Sequence, residues 1–191
     1  FRARRDIIRS LVEKYCFPKP SPSKKILDIG CGTGSVLKML NEFSPQVDGC
    51  DMSDEALSFS ASHGAARRLM HASFPDDIQR IDARYDLILT LDVLEHIQND
   101  QEALLRIYDL LNDGGKALIT VPAHPSFRSK YDEHCHHKRR YTKKSFLALV
   151  AATPFRIRFV SYYNFFLFVP IVVFRAIKSA LKKDVQYQSD V

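Results

Sequence analysis

No CxxC pair occurs among the four cysteines, Cys16, Cys31, Cys50 and Cys135, and their spacing is irregular. That argues against a zinc ribbon and a disulfide framework and makes a reducing cytoplasm the expected home. No internal repeat or low-complexity tract breaks the 191 residues, and no apolar run reaches the roughly 20 residues a spanning helix needs. No basic start, apolar middle and small-residue site reads as a cleavable leader, and a chain that opens on Phe1 rather than Met is expected to be trimmed or partial. Acidic residues fall short of Lys and Arg, 22 against 28, leaving a net charge of +6. Such a balance favours an anionic partner: nucleic acid, a phosphorylated metabolite or an anionic membrane surface. What is present is a chain 46% hydrophobic, the size of one globular domain with a single substantial core.

Its apolar residues alternate between two periods. "RARRDIIRSLVEKYC" spaces Ile7, Ile8, Leu11 and Val12 as an amphipathic helix. "KILDIG" reads as a buried strand, "TGSVLKMLNEF" as a helix, and "QVDGCD" as a second strand. The pattern continues with "SDEALSFSASH" as helix, "RRLMHA" and "YDLILTLD" as strands, "NDQEALLRIYDLLN" as helix and "GKALITVP" as strand. "TKKSFLALVAA" is a further helix with Thr142 as N-cap, and "FRIRFVSYY" alternates as a strand would. Strands and helices in this order predict an α/β fold with right-handed crossovers and a mainly parallel sheet covered on both faces.

"ILDIGCGTG" sets Gly30, Gly32 and Gly34 in the turn after the first strand, where missing side chains let backbone amides approach a ligand. A second strand ends in Asp51, twenty-one residues after Gly30, where a carboxylate can accept both hydroxyls of an adenosine ribose. A dinucleotide site would favour GxGxxG; here the turn reads GxGxG and Ser35 follows. The plainer alternative is a tight turn packed for its own sake, with Asp51 a solvated loop carboxylate.

"ILDIGCGTG", "DGCDMS", "YDLILTLDVLEHI" and "LNDGGKALITVP", in that order between Ile26 and Pro122, resemble a small single-domain class I S-adenosylmethionine-dependent methyltransferase. The resemblance implies a three-layer, doubly wound, Rossmann-like sheet of seven strands with S-adenosyl-L-methionine across their carboxyl ends, and S-adenosyl-L-homocysteine as product. By position it implies that Asp28, Gly30, Cys31, Gly32 and Gly34 line the methionine end, Asp51 holds the ribose and Met52 packs on adenine. Ala72 and Ser73 would approach the adenine edge, and Leu91 and Asp92 would close the pocket. Many relatives read Gly-Asp-Ala after the third strand where this chain reads "MHASFP", so His71 stands where a carboxylate is usual. Glu95 and His96 of "DVLEHI" fall just past the fourth strand: His96 as a general base is one reading, and a scaffold role, capping the next helix or bonding the loop, is the other.

In this fold the loop after the fifth strand hangs over the cofactor, which gives "YDEHCHHKRRY", Tyr131 to Tyr141, three possible roles. His134, Cys135, His136 and His137 are metal-ligand types, yet adjacent residues diverge and Lys138, Arg139 and Arg140 would repel a cation. The expectation is therefore no metal. Lys138, Arg139, Arg140, Lys143 and Lys144, bracketed by tyrosines, suit nucleic acid or an anionic group on a small or lipid-linked substrate. "HKRRYTKKSF" further resembles a bacterial subgroup of small methyltransferases. That likeness implies Tyr131, Asp132, Arg139 and Arg140 as substrate contacts and His137, with Tyr141, as catalytic candidates. His134, Cys135 and His136 are expected to be replaceable.

"FFLFVPIVVF" followed by spaced cations fits either an interfacial helix at a membrane surface or a buried lid. The expected organisation is a methyltransferase domain over 1–164, an apolar and basic segment over 165–183 and a tail over 184–191. The expected activity is methyl transfer to a small or lipid-linked acceptor, more at oxygen than nitrogen or carbon, in a cytoplasmic protein peripheral to the membrane. The alternatives are an RNA methyltransferase using the basic loop 137–144, and a cofactor-binding or membrane-associated regulatory protein without turnover.

Overall fold

The computed structural model describes residues 2–77 and 81–163, and of Tyr131 the backbone alone. Five strands form one parallel sheet: β1 (Lys25–Ile29), β2 (Gln46–Asp51), β3 (Arg68–His71), β4 (Tyr85–Leu91) and β5 (Leu111–Thr120). Their order across the sheet is β3-β2-β1-β4-β5, with Asp28 of β1 in register with Gly49 of β2 and Leu89 of β4. The chain runs outward from β1 to β3 and then returns to the other side of β1 for β4. The loops leaving β1 and β4 therefore part in opposite directions, and the crevice between them is where ligands bind in open α/β sheets.

Helices cover both faces because strands buried on both sides present apolar residues in alternate directions. Ile26, Leu87 and Leu89 pack with Ile8 of α1 (Arg2–Leu11), Leu37 and Leu40 of α2 (Ser35–Leu40) and Leu57 of α3 (Asp54–Ser62). Leu27, Ile29 and Ile88 pack with Leu104 and Ile107 of α4 (Asp100–Asp109) and Val150 of α6 (Lys143–Ala151). Each such fully buried Leu or Ile contributes about 1.5–3 kcal/mol. Past α1 a π-helical turn, Val12–Cys16, keeps Val12 and Cys16 in the core before the prolines end it. Thr142 caps α6 in a reciprocal box with Ser145, as expected.

Two expectations change. Among the described residues the sheet has five strands rather than seven, and 155–163 takes no strand. Side-chain alternation marks a covered and an open face, but a strand also needs a neighbour for its backbone hydrogen bonds, and β5 is the sheet's edge here. Within the loop after β5 a short helix, α5 (Lys130–His134), forms where no periodicity signalled one. The chain divides into two compact units after Arg156. The segments 165–183 and 184–191 lie outside the described residues.

Candidate active site

The turn after β1 is shaped by its glycines. Gly30 has φ +74°, and a Cβ there would meet Val93 Cγ2 at 2.5 Å, so the β1 and β4 loops touch through this missing side chain. A Cβ on Gly32 would meet nothing within 4 Å, whereas one on Gly34 would strike Ser60 Oγ at 2.3 Å. Gly32 thus borders open space and Gly34 packs the helix layer. The Gly30 and Cys31 amides donate to the Cys50 carbonyl at 2.8 and 3.1 Å, which joins the turn to the end of β2. Asp51 accepts Gly32 N–H on one oxygen at 2.8 Å and Ser53 N–H on the other at 2.9 Å. Each oxygen keeps a second lone-pair direction for a ligand hydroxyl.

Around that cradle stand the other expected cofactor residues. Asp28 is buried, its Oδ1 has no hydrogen-bond partner, and burial, with the Asp51 charge beside it, raises its carboxyl to about 7. Cys31 is buried beside Gly49, and burial pushes its thiol well above the ordinary range. Met52 is 72% exposed next to Asp51, a placement that leaves its thioether for a flat apolar ligand. Ala72 is buried with its amide on the Asp51 carbonyl, and the Ser73 amide is held by Asp77. His71, in the place usual for a carboxylate, shares a 3.0 Å hydrogen bond with the Met52 carbonyl.

Beyond β4 the backbone turns sharply after Leu91 at Asp92, whose φ of +60° is a left-handed conformation seldom taken outside glycine. Thr120 at the end of β5 fixes it: the Asp92 amide donates to the Thr120 carbonyl and the Thr120 hydroxyl donates to Asp92 Oδ1. Arg4 of α1 completes the knot with a 2.8 Å ion pair to Asp92 Oδ2. Sequence reasoning missed Arg4, because a cation on an amphipathic helix carries no sign of the carboxylate it will meet.

Glu95 follows in a short 3₁₀ turn, Leu94–His96. Its side chain is fully buried with no hydrogen-bond partner on either oxygen, and burial raises it to about 7. It does not cap α4, since Asn99 is the N-cap; its carbonyl instead accepts the Lys138 amide at 2.8 Å and ties down the loop. The His96 and His137 rings meet edge to face with centroids 4.8 Å apart, and burial together with the second imidazole holds His96 below the usual histidine range.

Loop 122–141 is organised by Asp132. Its buried carboxylate accepts Arg140 through Nε at 2.6 Å and Nη2 at 3.1 Å, the Ser129 amide and hydroxyl, and His137 Nδ1 at 2.9 Å. Burial alone would raise this carboxyl, but the Arg140 guanidinium and these donors outweigh it and hold it far below the usual range. An ionised carboxylate only accepts, so His137 carries its proton on Nδ1 and turns Nε2 toward Glu95 Oε1, 4.0 Å away. Arg139 pairs with Asp100 at 2.8 Å and reaches the Gln98 carbonyl, and the buried Tyr141 donates its hydroxyl to Asp100 at 2.8 Å. His134 and His136 are exposed, and Tyr131 lies in α5.

The structure therefore joins His96 and His137, and it draws Asp132, Arg139, Arg140 and Tyr141 into the loop's own bonding. Among the described residues the metal-ligating side chains that meet are Glu95, His96 and His137, from two segments, rather than the adjacent His134, Cys135, His136 and His137 weighed from the sequence.

A parallel sheet with a glycine cradle at its switch point and an acidic residue closing the second strand is shared by nucleotide-binding α/β folds, the class I S-adenosylmethionine-dependent methyltransferases among them. A family model described as "Methyltransferase domain" matches residues 1–163, and the chain belongs to that family. Among curated proteins it is 33% identical over 103 residues to phosphoethanolamine N-methyltransferase 3 of Arabidopsis thaliana, covering 52% of this chain and 21% of that one. It is 31% identical over 101 residues to ubiquinone biosynthesis O-methyltransferase of Coxiella burnetii, covering 51% and 43%. The chain thus spans less than half the length of these relatives. Magnesium protoporphyrin IX methyltransferase from Synechocystis PCC 6803, solved with bound S-adenosylhomocysteine, superposes with a TM-score of 0.63 at 14% identity over 85% of this chain and 78% of that one.

Proposed function

We propose that the chain transfers the methyl group of S-adenosylmethionine to a hydroxyl oxygen of a small or lipid-linked acceptor. The observation that carries this reading is the meeting of Glu95, His96 and His137 past the end of β4. A hydroxyl must lose a proton to become a strong nucleophile, and carboxylate and imidazole side chains within reach are the groups that take it. The Coxiella relative's name as an O-methyltransferase supports it.

The residues present fit the cofactor: the cradle at Gly32 is open, both Asp51 oxygens keep acceptor capacity, and the unpartnered Asp28 Oδ1 suits a donor or cation. When bound, the cofactor supplies a methyl carbon activated by sulfonium. Asp51 holds the ribose, the Gly30 to Gly34 backbone fits the methionine portion, and Met52 covers the adenine. Asp132 fixes the His137 tautomer so that Nε2 takes the acceptor's proton, help worth about 10²- to 10⁴-fold. Alignment of acceptor and methyl supplies much of the remaining rate. Arg139, Arg140 and Tyr141 act by holding the loop. Two of the five cations in the basic cluster are thereby neutralised, which weakens the case for RNA.

Incubation with ¹³C-methyl-labelled S-adenosylmethionine and phenol, alcohol, amine, lipid and RNA fractions tests this. NMR of the product distinguishes methyl on oxygen, nitrogen or carbon. A methyl ether is expected; label found only on nitrogen, carbon or RNA bases would sink the reading, and cofactor binding with no transfer would favour a regulatory protein.

A further inference from the structure

The side chains of Glu95, His96 and His137 bring one carboxylate and two imidazoles together, with ligand atoms all within 4.8 Å of one another. Two observations set this trio apart from an ordinary polar cluster. Glu95 is fully buried, and neither oxygen has a hydrogen-bond partner, which is costly for a carboxylate unless a cation meets it. His137 is oriented from behind: Asp132 holds its Nδ1 at 2.9 Å, the carboxylate–histidine arrangement that aims Nε2 of metal-ligating histidines.

Of the cations that would repel a metal ion, Lys138 is exposed to solvent and the arginines are already answered. Arg140 is bound twice by Asp132, Arg139 by Asp100 and Arg4 by Asp92. The trio also comes from two separated segments, the turn after β4 and the loop after β5, as closed metal sites usually do. These are tied together by the Lys138 amide on the Glu95 carbonyl.

We propose that Glu95, His96 and His137 form a binding site for one divalent transition-metal cation. The donor set, one carboxylate oxygen and two imidazole nitrogens, suits zinc, cobalt or manganese, and three protein ligands leave positions open. Bond lengths of about 2.0–2.2 Å set ligand atoms roughly 3.3 Å apart, so the trio closes by about an ångström on binding. An acceptor hydroxyl on an open position would ionise more readily, its proton passing to solvent and its oxygen left to attack the methyl carbon, with the histidines then serving as ligands. That consequence rests on the oxygen-transfer reading; cation binding does not.

Cobalt(II) titrated into the full chain, freed of metal by chelation, tests the site by calorimetry and visible absorption without any acceptor. One equivalent is expected, with d–d bands from a mixed nitrogen and oxygen set. Glu95→Gln and His137→Asn should each weaken binding at least tenfold, and Asp132→Asn by about 10- to 100-fold as the residue that orients the ligand. A combined His134→Ala, Cys135→Ser and His136→Ala variant should bind as wild type. Each variant's fold is checked by the melting shift that S-adenosylmethionine produces. No binding by the wild type overturns the proposal. So does binding that survives both ligand substitutions in folded protein, or binding abolished by the combined variant.

Discussion

The two halves of the crevice are built in different ways. The half formed by the loops after β1 to β3 is made of short local strings: three glycines within five residues, then an aspartate at the end of the next strand. The half formed by the loops after β4 and β5 depends on partners far apart in sequence, such as Arg4 with Asp92 and Tyr141 with Asp100. Local strings hold a cofactor through backbone, where side-chain absence and turn shape suffice. Distant pairs position side chains, as the proposed handling of an acceptor needs, where position and protonation matter more.

The largest effect should come from Asp51→Ala, which removes the acceptor of two backbone amides and, in the proposed cofactor pose, of two ribose hydroxyls. With charged hydrogen bonds worth about 1.5–3 kcal/mol each, affinity for S-adenosylmethionine should fall about 10²- to 10⁴-fold by titration calorimetry. Acceptor-side variants should leave that affinity within a few-fold; if they do not, the division into halves is wrong.

Next comes Asp132→Ala, which leaves the half-buried Arg140 without its carboxylate and releases the His137 ring from its hold. Breaking such a buried pair costs about 3–5 kcal/mol, measurable by denaturant unfolding. Asp132→Asn should recover part of the stability but less of the turnover, because an amide oxygen cannot match the carboxylate's hold on His137. Equal recovery of both would reduce Asp132 to a structural role.

A smaller effect concerns Asp28, the ionisable group buried in the cofactor half. Its carboxyl rises from 3.8 unfolded to about 7 folded, so the folded state holds the proton more tightly. Its contribution is full below about pH 3.8 and is lost as pH rises through about 7. The melting temperature of the cofactor-free chain should therefore decline over that window relative to Asp28→Asn. Parallel curves for the two proteins would remove Asp28 as the cause.

The smallest effect is expected for His134→Ala, Cys135→Ser and His136→Ala together: stability within about 0.5 kcal/mol of wild type, by thermal melting, and turnover unchanged. His136 has φ +56°, so His136→Gly in its place should be tolerated equally or better.

The same contrast explains what could be read in the sequence. The glycine turn and the carboxylate ending β2 fold where they were expected, because glycine spacing and a strand-ending acid mark the switch point of an α/β sheet. The strands β1 and β4 were legible as apolar runs and β2 and β3 as short segments between helical stretches, whereas β5 begins earlier than its pattern, at Leu111. In the acceptor half His96 and His137 could be nominated, but Asp132, Arg139 and Arg140 were expected as substrate contacts, whereas Arg140 pairs with Asp132 and Arg139 with Asp100. A charged side chain reads the same whether its partner is a ligand or a residue forty positions away, and burial alone tells them apart. Arg4 and the ligand-like placement of Glu95 were hidden for that reason.

The neck of the loop after β5 has a meaning for change over time. The Tyr141 amide donates to the Pro122 carbonyl and the His124 amide to the Tyr141 carbonyl, both at 2.9 Å, so the segment leaves and rejoins the sheet at one pinned point. Lys138 and Arg139 add further ties to Glu95 and Asp100, so only the exposed tip lies outside these anchors, and doubling a loop's length costs only about 0.6 kcal/mol of closure entropy. Insertions near its exposed tip can thus reshape what the protein accepts while the methyl donor's seat stays as it is, which makes the loop a replaceable part on a fixed engine.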